Sequence, residues 1–167
     1  MFLAGMTEGN LTITNAEGEL YADNILWFSD SEFASGELSV NIADLTLEQE
    51  ASLFGSTYTS GTKKLEAKAN DSATSGVLGF VRNIARRDLS TGAKTNKYQA
   101  VIFKNALPTR GDESVTTKGS SLEYQVHPIT FKIMADSNNI WKEVTEYDSE
   151  ALAIGAVNTA TGVTVSY

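Results

Sequence analysis

Between Ala34 and Gly55 the polar and apolar positions follow two clear rhythms in succession. Leu38, Val40 and Ile42 alternate with Glu37, Ser39 and Asn41, the period of two of a half-buried strand. The period then lengthens. Leu47, Ala51 and Phe54 recur at helical spacing, which predicts a short helix with one apolar stripe. Thr46 stands at the N-cap with Gln49 three residues on, a capping box, and Glu48 and Glu50 occupy the first turn, where the helix dipole favours negative charge. Gly55 is placed to end the helix in a left-handed conformation. A helix this short is marginal alone and needs a sheet to lie on.

The rest of the chain supplies strands. Leu11–Thr14 alternates, and Asn15–Gly18 reads as a turn. Leu20–Phe28 is apolar and aromatic, and Ile25–Phe28 reads as buried on both faces. Ser29–Gly36 reads as a polar loop. Ser56–Gly76 is small and polar, with a weak strand at Lys64–Ala69, and reads as a long excursion from the core. Val77–Val81 is a continuous apolar run, the pattern of a central strand, and Ser90–Asn96 is a polar turn. Tyr98–Lys104 is the best strand of the second half, apolar on both faces over Ala100–Phe103. Pro108–Gly119 reads as a loop. In Leu122–Ile133 the apolar face switches at His127-Pro128: Leu122, Tyr124 and Val126 precede it, Ile129, Phe131 and Ile133 follow. Such a switch marks a bulge or a corner between packed sheets. Trp141–Tyr147 is a further strand, Glu150–Val157 a short helix, and Val163–Tyr167 a terminal strand. About eight strands, mostly consecutive and without helical crossovers, predict a mainly β fold: a two-sheet antiparallel β-sandwich or partly closed barrel with one flanking α-helix.

Length and composition narrow the class. The 167 residues suit a single domain over 1–167, and 41% hydrophobic with 20% charged residues indicates a globular chain. There is no cysteine and a single histidine, His127, so disulfides, thiolate sites and polyhistidine zinc sites are excluded. The net charge of −8 argues against a surface that grips phosphates. The N-terminus has no basic segment followed by a long apolar one, so no signal peptide is expected, and no apolar run reaches the length of a membrane span.

Candidate chemistry is thin. His127 precedes a proline inside a strand, where a structural role is expected. Asp136, Asn138 and Asn139 lack the glycine and closing glutamate of a calcium loop and read as a plain turn. Gly76 and Gly79 are not followed by a phosphate-loop motif. Arg110-Gly111-Asp112 is too short a match to carry meaning. No arrangement supports an enzyme, and no cofactor or metal is expected. Arg82, Arg86 and Arg87 suit pairing with acidic residues of a neighbouring subunit.

Two stretches carry a likeness: Tyr21–Gly55, and Tyr98–Leu107 with Thr116–Phe131. Together they resemble the major tail proteins, or tail tube proteins, of long-tailed bacteriophages of Gram-positive bacteria. In that family a "YADN" turn enters a strand, a "G-x-L-x-V-x-I-x-x-L" strand leads into an acidic helix, and a "TKGDSIEYQTP" segment begins a later strand. Tyr21-Ala22-Asp23-Asn24, Leu45-Thr46-Leu47-Glu48 and Thr117-Lys118-Gly119 occupy those places. The likeness covers Leu11–Ile133. The segment before the first matching strand is shorter than in the family, and Glu150–Tyr167 has no counterpart.

The resemblance implies a structural virion protein, assembled in the host cytoplasm. Six subunits would form a ring by joining sheets edge to edge, and rings would stack into a tube through which genomic DNA passes without sequence-specific contact. Partners would be other copies and the tape measure, tail terminator and distal tail proteins, with no membrane. The loop at 56–76 would be the inter-ring arm. Glu37, Ser39, Asn41, Glu123 and Gln125 are candidates for the lumen, and Lys63, Lys64, Lys68, Arg82, Arg86 and Arg87 for subunit contacts. The alternative is a monomeric β-sandwich that binds carbohydrate or mediates adhesion, with Trp27, Trp141 and Tyr98 as a sugar platform.

Overall fold

The computed structural model describes residues 3–111 and 126–163. The chain is mainly β and antiparallel, with two helices and sheets that do not close into a barrel. Its elements are β1 (Ala4–Ala22), β2 (Ile25–Asp44), α1 (Leu47–Phe54), β3 (Thr57–Thr59), β4 (Lys64–Glu66), β5 (Gly76–Arg87), β6 (Lys94–Arg110), β7 (His127–Met134), β8 (Lys142–Tyr147) and α2 (Glu150–Thr161). The described residues fall into two compact units.

The first unit comprises the described parts of Leu3–Thr74 and Leu107–Met134. Its β1, β2 and β7 pair antiparallel in that order. The alternation expected of β2 holds: Leu38, Val40 and Ile42 are buried, and Leu38 and Val40 lie opposite buried Phe131 and Ile129. Gly36 sits opposite Ile133, and a Cβ there would come within 3.3 Å of the Ile133 Cβ. Helix α1 is capped as expected. The Thr46 hydroxyl accepts from Gln49 N at 3.2 Å, Thr46 N donates to the Gln49 side chain at 2.9 Å, and Gly55 has φ 70°. Its buried stripe differs from the expected one. Ala51, Leu53 and Phe54 face inward, while Leu47 is exposed.

The second unit comprises the described parts of Ser75–Ala106 and Ala135–Tyr167. Here β6 lies between β5 and β8, which is why Ala100–Phe103 are all buried. Phe103 meets Phe80 and Trp141 at ring separations of 6.2 and 6.4 Å. Helix α2 packs on β5 and β8 and buries Ala153. Ser149 caps its start and Gly162 its end, and it runs further than the Glu150–Val157 segment expected from sequence.

Several expectations are corrected. Asn15–Gly18 is not a turn, nor Ser29–Gly36 a loop. Both continue as strand, and a register shift after Thr14 absorbs the irregularity. The polarity that imitated a loop belongs to a ribbon with solvent on both faces. Ile25–Phe28 are exposed rather than buried. Val77–Val81 is not a central strand: β5 pairs only with β6 among the described residues, and Val77 is exposed. Ser56–Gly76 has no buried residue and holds more strand than expected. Its weak strand, β4, spans Lys64–Glu66, pairs with β3, and both lie against α1. Pro108–Arg110 continues β6 instead of opening a loop. Ile129, Phe131 and Ile133 are buried as the face switch predicts; of its first half Val126 is exposed and precedes β7, while Leu122 and Tyr124, like residues 164–167 of the expected terminal strand, lie outside the described residues.

Candidate assembly surfaces

The feature with the clearest functional consequence is the β1–β2 hairpin. Ala22 and Ile25 pair across a two-residue turn in which Asp23 and Asn24 both have positive φ, 53° and 60°. A type I′ turn demands this at both central positions, and Asp and Asn tolerate it. From Thr14 to Ala22 the ribbon runs about 27 Å at about 3.4 Å per residue. Among the described residues β1 pairs in this stretch only with β2, and the described side chains of residues 12–32 are exposed. At the tip Leu20, Ile25, Leu26, Trp27 and Phe28 are 45–64% exposed. Trp27 and Phe28 meet edge to face at 6.5 Å, within the ribbon itself.

Below the tip the ribbon is acidic. Glu17 and Glu19 on β1 and Asp30 and Glu32 on β2 are exposed, and no lysine or arginine occurs before Lys63. Ten of the 21 acidic residues, and none of the 13 basic ones, lie in the first 62 positions. Glu19 accepts from the Tyr21 hydroxyl at 2.8 Å, which raises the Tyr21 pKa. The sequence reading missed this charge division, although the absence of cations over so long a stretch is visible without a structure. It also read Asp23-Asn24 only through the family likeness, although two such residues between apolar pairs are a hairpin signal by themselves.

The candidate lumen residues Glu37, Ser39 and Asn41 share one face of β2, opposite the buried residues. The register brings them into a polar grid. Glu8, Asn41 and Pro128 form one row, Asn10, Ser39 and Thr130 the next, and Thr12, Glu37 and Lys132 the third. Ser39 and Thr130 hydroxyls lie 3.5 Å apart. Glu123 and Gln125, the other lumen candidates, lie outside the described residues.

The candidate contact residues divide between the two units. In the first, Lys64 pairs with Glu66 at 2.6 Å, Lys63 holds a positive-φ turn position, and Lys68 lines an open cleft of about 400 Å³. Arg110 closes one side of that cleft. Its guanidinium donates to Glu50 at 2.6 Å and to Ser56 at 2.8 Å and lies over the Phe54 ring at 4.6 Å. Asp71, also on the wall, accepts from Lys68 N, which with the Ser56 hydroxyl lowers its pKa. These contacts occupy Arg110 within its own chain, and Asp112 of the tripeptide lies outside the described residues. In the second unit Arg82 donates to Gln99 and Arg86 to Glu146 of the same chain. Glu146 also accepts from Gln99, the larger cause of its lowered pKa. Arg87, on the last residue of β5, lies opposite Lys94.

The residues of the alternative sugar platform are differently placed. Trp141 stacks on Phe103, Tyr98 is half-buried opposite Asn83 and Tyr147, and Trp27 is exposed at the ribbon tip. His127 is exposed at the start of β7. Asp136 forms the expected turn, accepting from Asn138 N and Ile140 N. Among the described residues no helix is long and apolar enough to cross a membrane.

No family model matches the chain, and no curated protein matches it.

Proposed function

We propose that this chain is a self-assembling structural subunit of the tail-tube kind, whose copies form hexameric rings stacked into a conduit for DNA. The observation that carries the reading is the β1–β2 ribbon. A two-stranded ribbon bare on both faces is marginal in water, and an exposed tip of Leu20, Ile25, Leu26, Trp27 and Phe28 loses free energy until something covers it. Other copies of the chain are the cover that an assembling subunit provides. The ribbon, rather than the 56–76 segment, then serves as the arm between subunits. The edges at β1 and β5, unpaired among the described residues and hazards for a monomer, become joints in an assembly. The net charge of −8 suits a passage that DNA must traverse without adhering.

Negative-stain microscopy of the purified protein at high concentration tests this reading. Rings or tubes are expected. A field of dispersed small particles, together with glycan binding by the monomer, would favour the carbohydrate-binding alternative. The polar grid is the proposed lumen surface. Glu37→Lys with Ser39→Lys is expected to leave tubes intact and slow DNA ejection, and unchanged ejection would remove that assignment.

A further inference from the structure

The charge division of the chain leaves two hairpins of opposite sign. The acidic one is the β1–β2 ribbon, with its apolar tip followed by Glu17, Glu19, Asp30 and Glu32. The basic one is β5–β6. Its turn is built by Asp88, whose carboxylate accepts from Ser90 N at 2.8 Å, Ser90 Oγ at 2.7 Å and Thr91 N at 3.3 Å. Gly92, with φ 73°, closes the turn by donating to the Asp88 carbonyl at 2.8 Å. This ordered turn presents Leu89, 96% exposed, to solvent. Directly behind it Arg87 and Lys94 face each other across the ladder.

Like charges directly opposite in a ladder are destabilising. Among the described residues neither Arg87 nor Lys94 has a carboxylate within ion-pair distance. The neighbouring cations do: Arg86 pairs with Glu146, Lys97 with Asp148 and Lys104 with Glu143. Asp88 turns its Oδ1 to Ser90 and Thr91. A pair of facing cations without an ion-pair partner among the described residues thus stands behind an exposed leucine.

We propose that the β5–β6 hairpin end is the docking site for the acidic β1–β2 ribbon of a second copy. Leu89 would enter the apolar tip, and Arg87 and Lys94 would meet the carboxylates below it. The order is similar along both hairpins, with exposed apolar residues at or beside the turn and charge within a few residues behind. The ribbon, lacking any cation, offers no repulsion to the pair. The contact is heterologous, joining different surfaces of successive copies, so it can propagate. This inference rests on the reading of the chain as an assembling subunit and names the surface that the ribbon meets.

Charge reversal tests it, read by sedimentation equilibrium, which detects dimers as well as large assemblies, beside micrographs of the same samples. Two paired variants are used: Arg87→Glu with Lys94→Glu, and Asp30→Lys with Glu32→Lys. All four positions are exposed, and unchanged far-UV circular dichroism checks the fold. Each variant alone is expected to self-associate at least tenfold more weakly than the wild type. An equimolar mixture of the two is expected to recover association as an alternating array, because the reversed hairpin of one variant meets the reversed ribbon of the other and the remaining junction keeps its original charges; a single chain carrying all four changes is expected to recover association as well. Wild-type association should also weaken as salt rises, since exposed charges are screened over about 3 Å at 1 M. Wild-type association left unchanged by both reversals would overturn the docking site while the assembly reading stands. Association lost on reversal and restored in the fourfold variant, without rings or tubes in micrographs, would support the docking site and remove the tube. A wild type that stays monomeric at millimolar concentration would overturn both. Wild-type association unaffected by Arg87→Glu/Lys94→Glu, with loss of binding to duplex DNA, would reassign the cation pair to phosphate.

Discussion

Trp27 separates an assembly surface from a core residue in a single measurement. Its side chain is 60% exposed at the ribbon tip. An aromatic side chain offers about 150–250 Å² for burial, so about 90–150 Å² of Trp27 remains available to a partner. At about 25 cal/mol per Å² that area contributes about 2–4 kcal/mol when covered, or about two orders of magnitude in an association constant. Trp27→Ser is therefore expected to weaken self-association about a hundredfold. Within the free subunit the covered remainder, about 60–100 Å², contributes about 1.5–2.5 kcal/mol and the edge-to-face contact with Phe28 about 0.5–1.5 kcal/mol more, so unfolding free energy should fall by no more than about 4 kcal/mol. Association is read by sedimentation equilibrium. Unfolding is read by urea titration at low protein concentration, where binding adds little apparent stability. A loss that appears in unfolding while association stays unchanged would refute the reasoning, because it would place Trp27 in the subunit's own core.

Other outcomes follow from local geometry. Gly55→Ala meets two penalties, a φ of 70° and a Cβ 2.3 Å from the Ser72 carbonyl oxygen, whereas Gly162→Ala meets only a φ of 67° in open space. Gly162→Ala is expected to cost about 1–2 kcal/mol and Gly55→Ala about 1–3 kcal/mol more; equal urea midpoint shifts would show that the Ser72 approach is not tight. Phe54→Ala, removing a buried ring beneath Arg110, is expected to cost about 3–5 kcal/mol by the same titration. Asp88 is held at a pKa of about 2 by the Ser90 hydroxyl first, then by Ser90 N and Thr91. Its folded value is depressed, so its contribution to the β5–β6 turn is present above the ordinary value of 3.8 and is lost as pH falls through about 2; carboxyl chemical shifts followed across that range check it, and an ordinary titration midpoint would contradict the turn geometry.

Much of the local structure was legible in the sequence. The capping box at Thr46 and Gln49, the stop at Gly55, and the inward set Leu38, Val40 and Ile42 depend on contacts within a few residues or on a period of two, and these survive in any surroundings. Ala100–Phe103 was legible too, because four apolar residues in a strand need cover on both faces and β6 receives it. The same logic failed for Ile25–Phe28 and Val77–Val81. An apolar run states that its faces avoid water, but not that the same subunit supplies the cover: Ile25–Phe28 stay exposed, and Val77–Val81 are only half-covered, with Val77 exposed.

The candidate surface was illegible for the converse reason. A ribbon wet on both faces is polar on both faces, so Asn15–Gly18 and Ser29–Gly36 have the composition of loops. The charge division was present in the sequence, yet its meaning required the ladder. Only the register sets Arg87 opposite Lys94, places Glu37 between Thr12 and Lys132, and makes one ribbon of two segments read separately. Short-range spacing and capping determined helix α1 and the alternating segment of β2. The tertiary structure alone decided which faces stay bare, because exposure depends on neighbours that are distant along the chain.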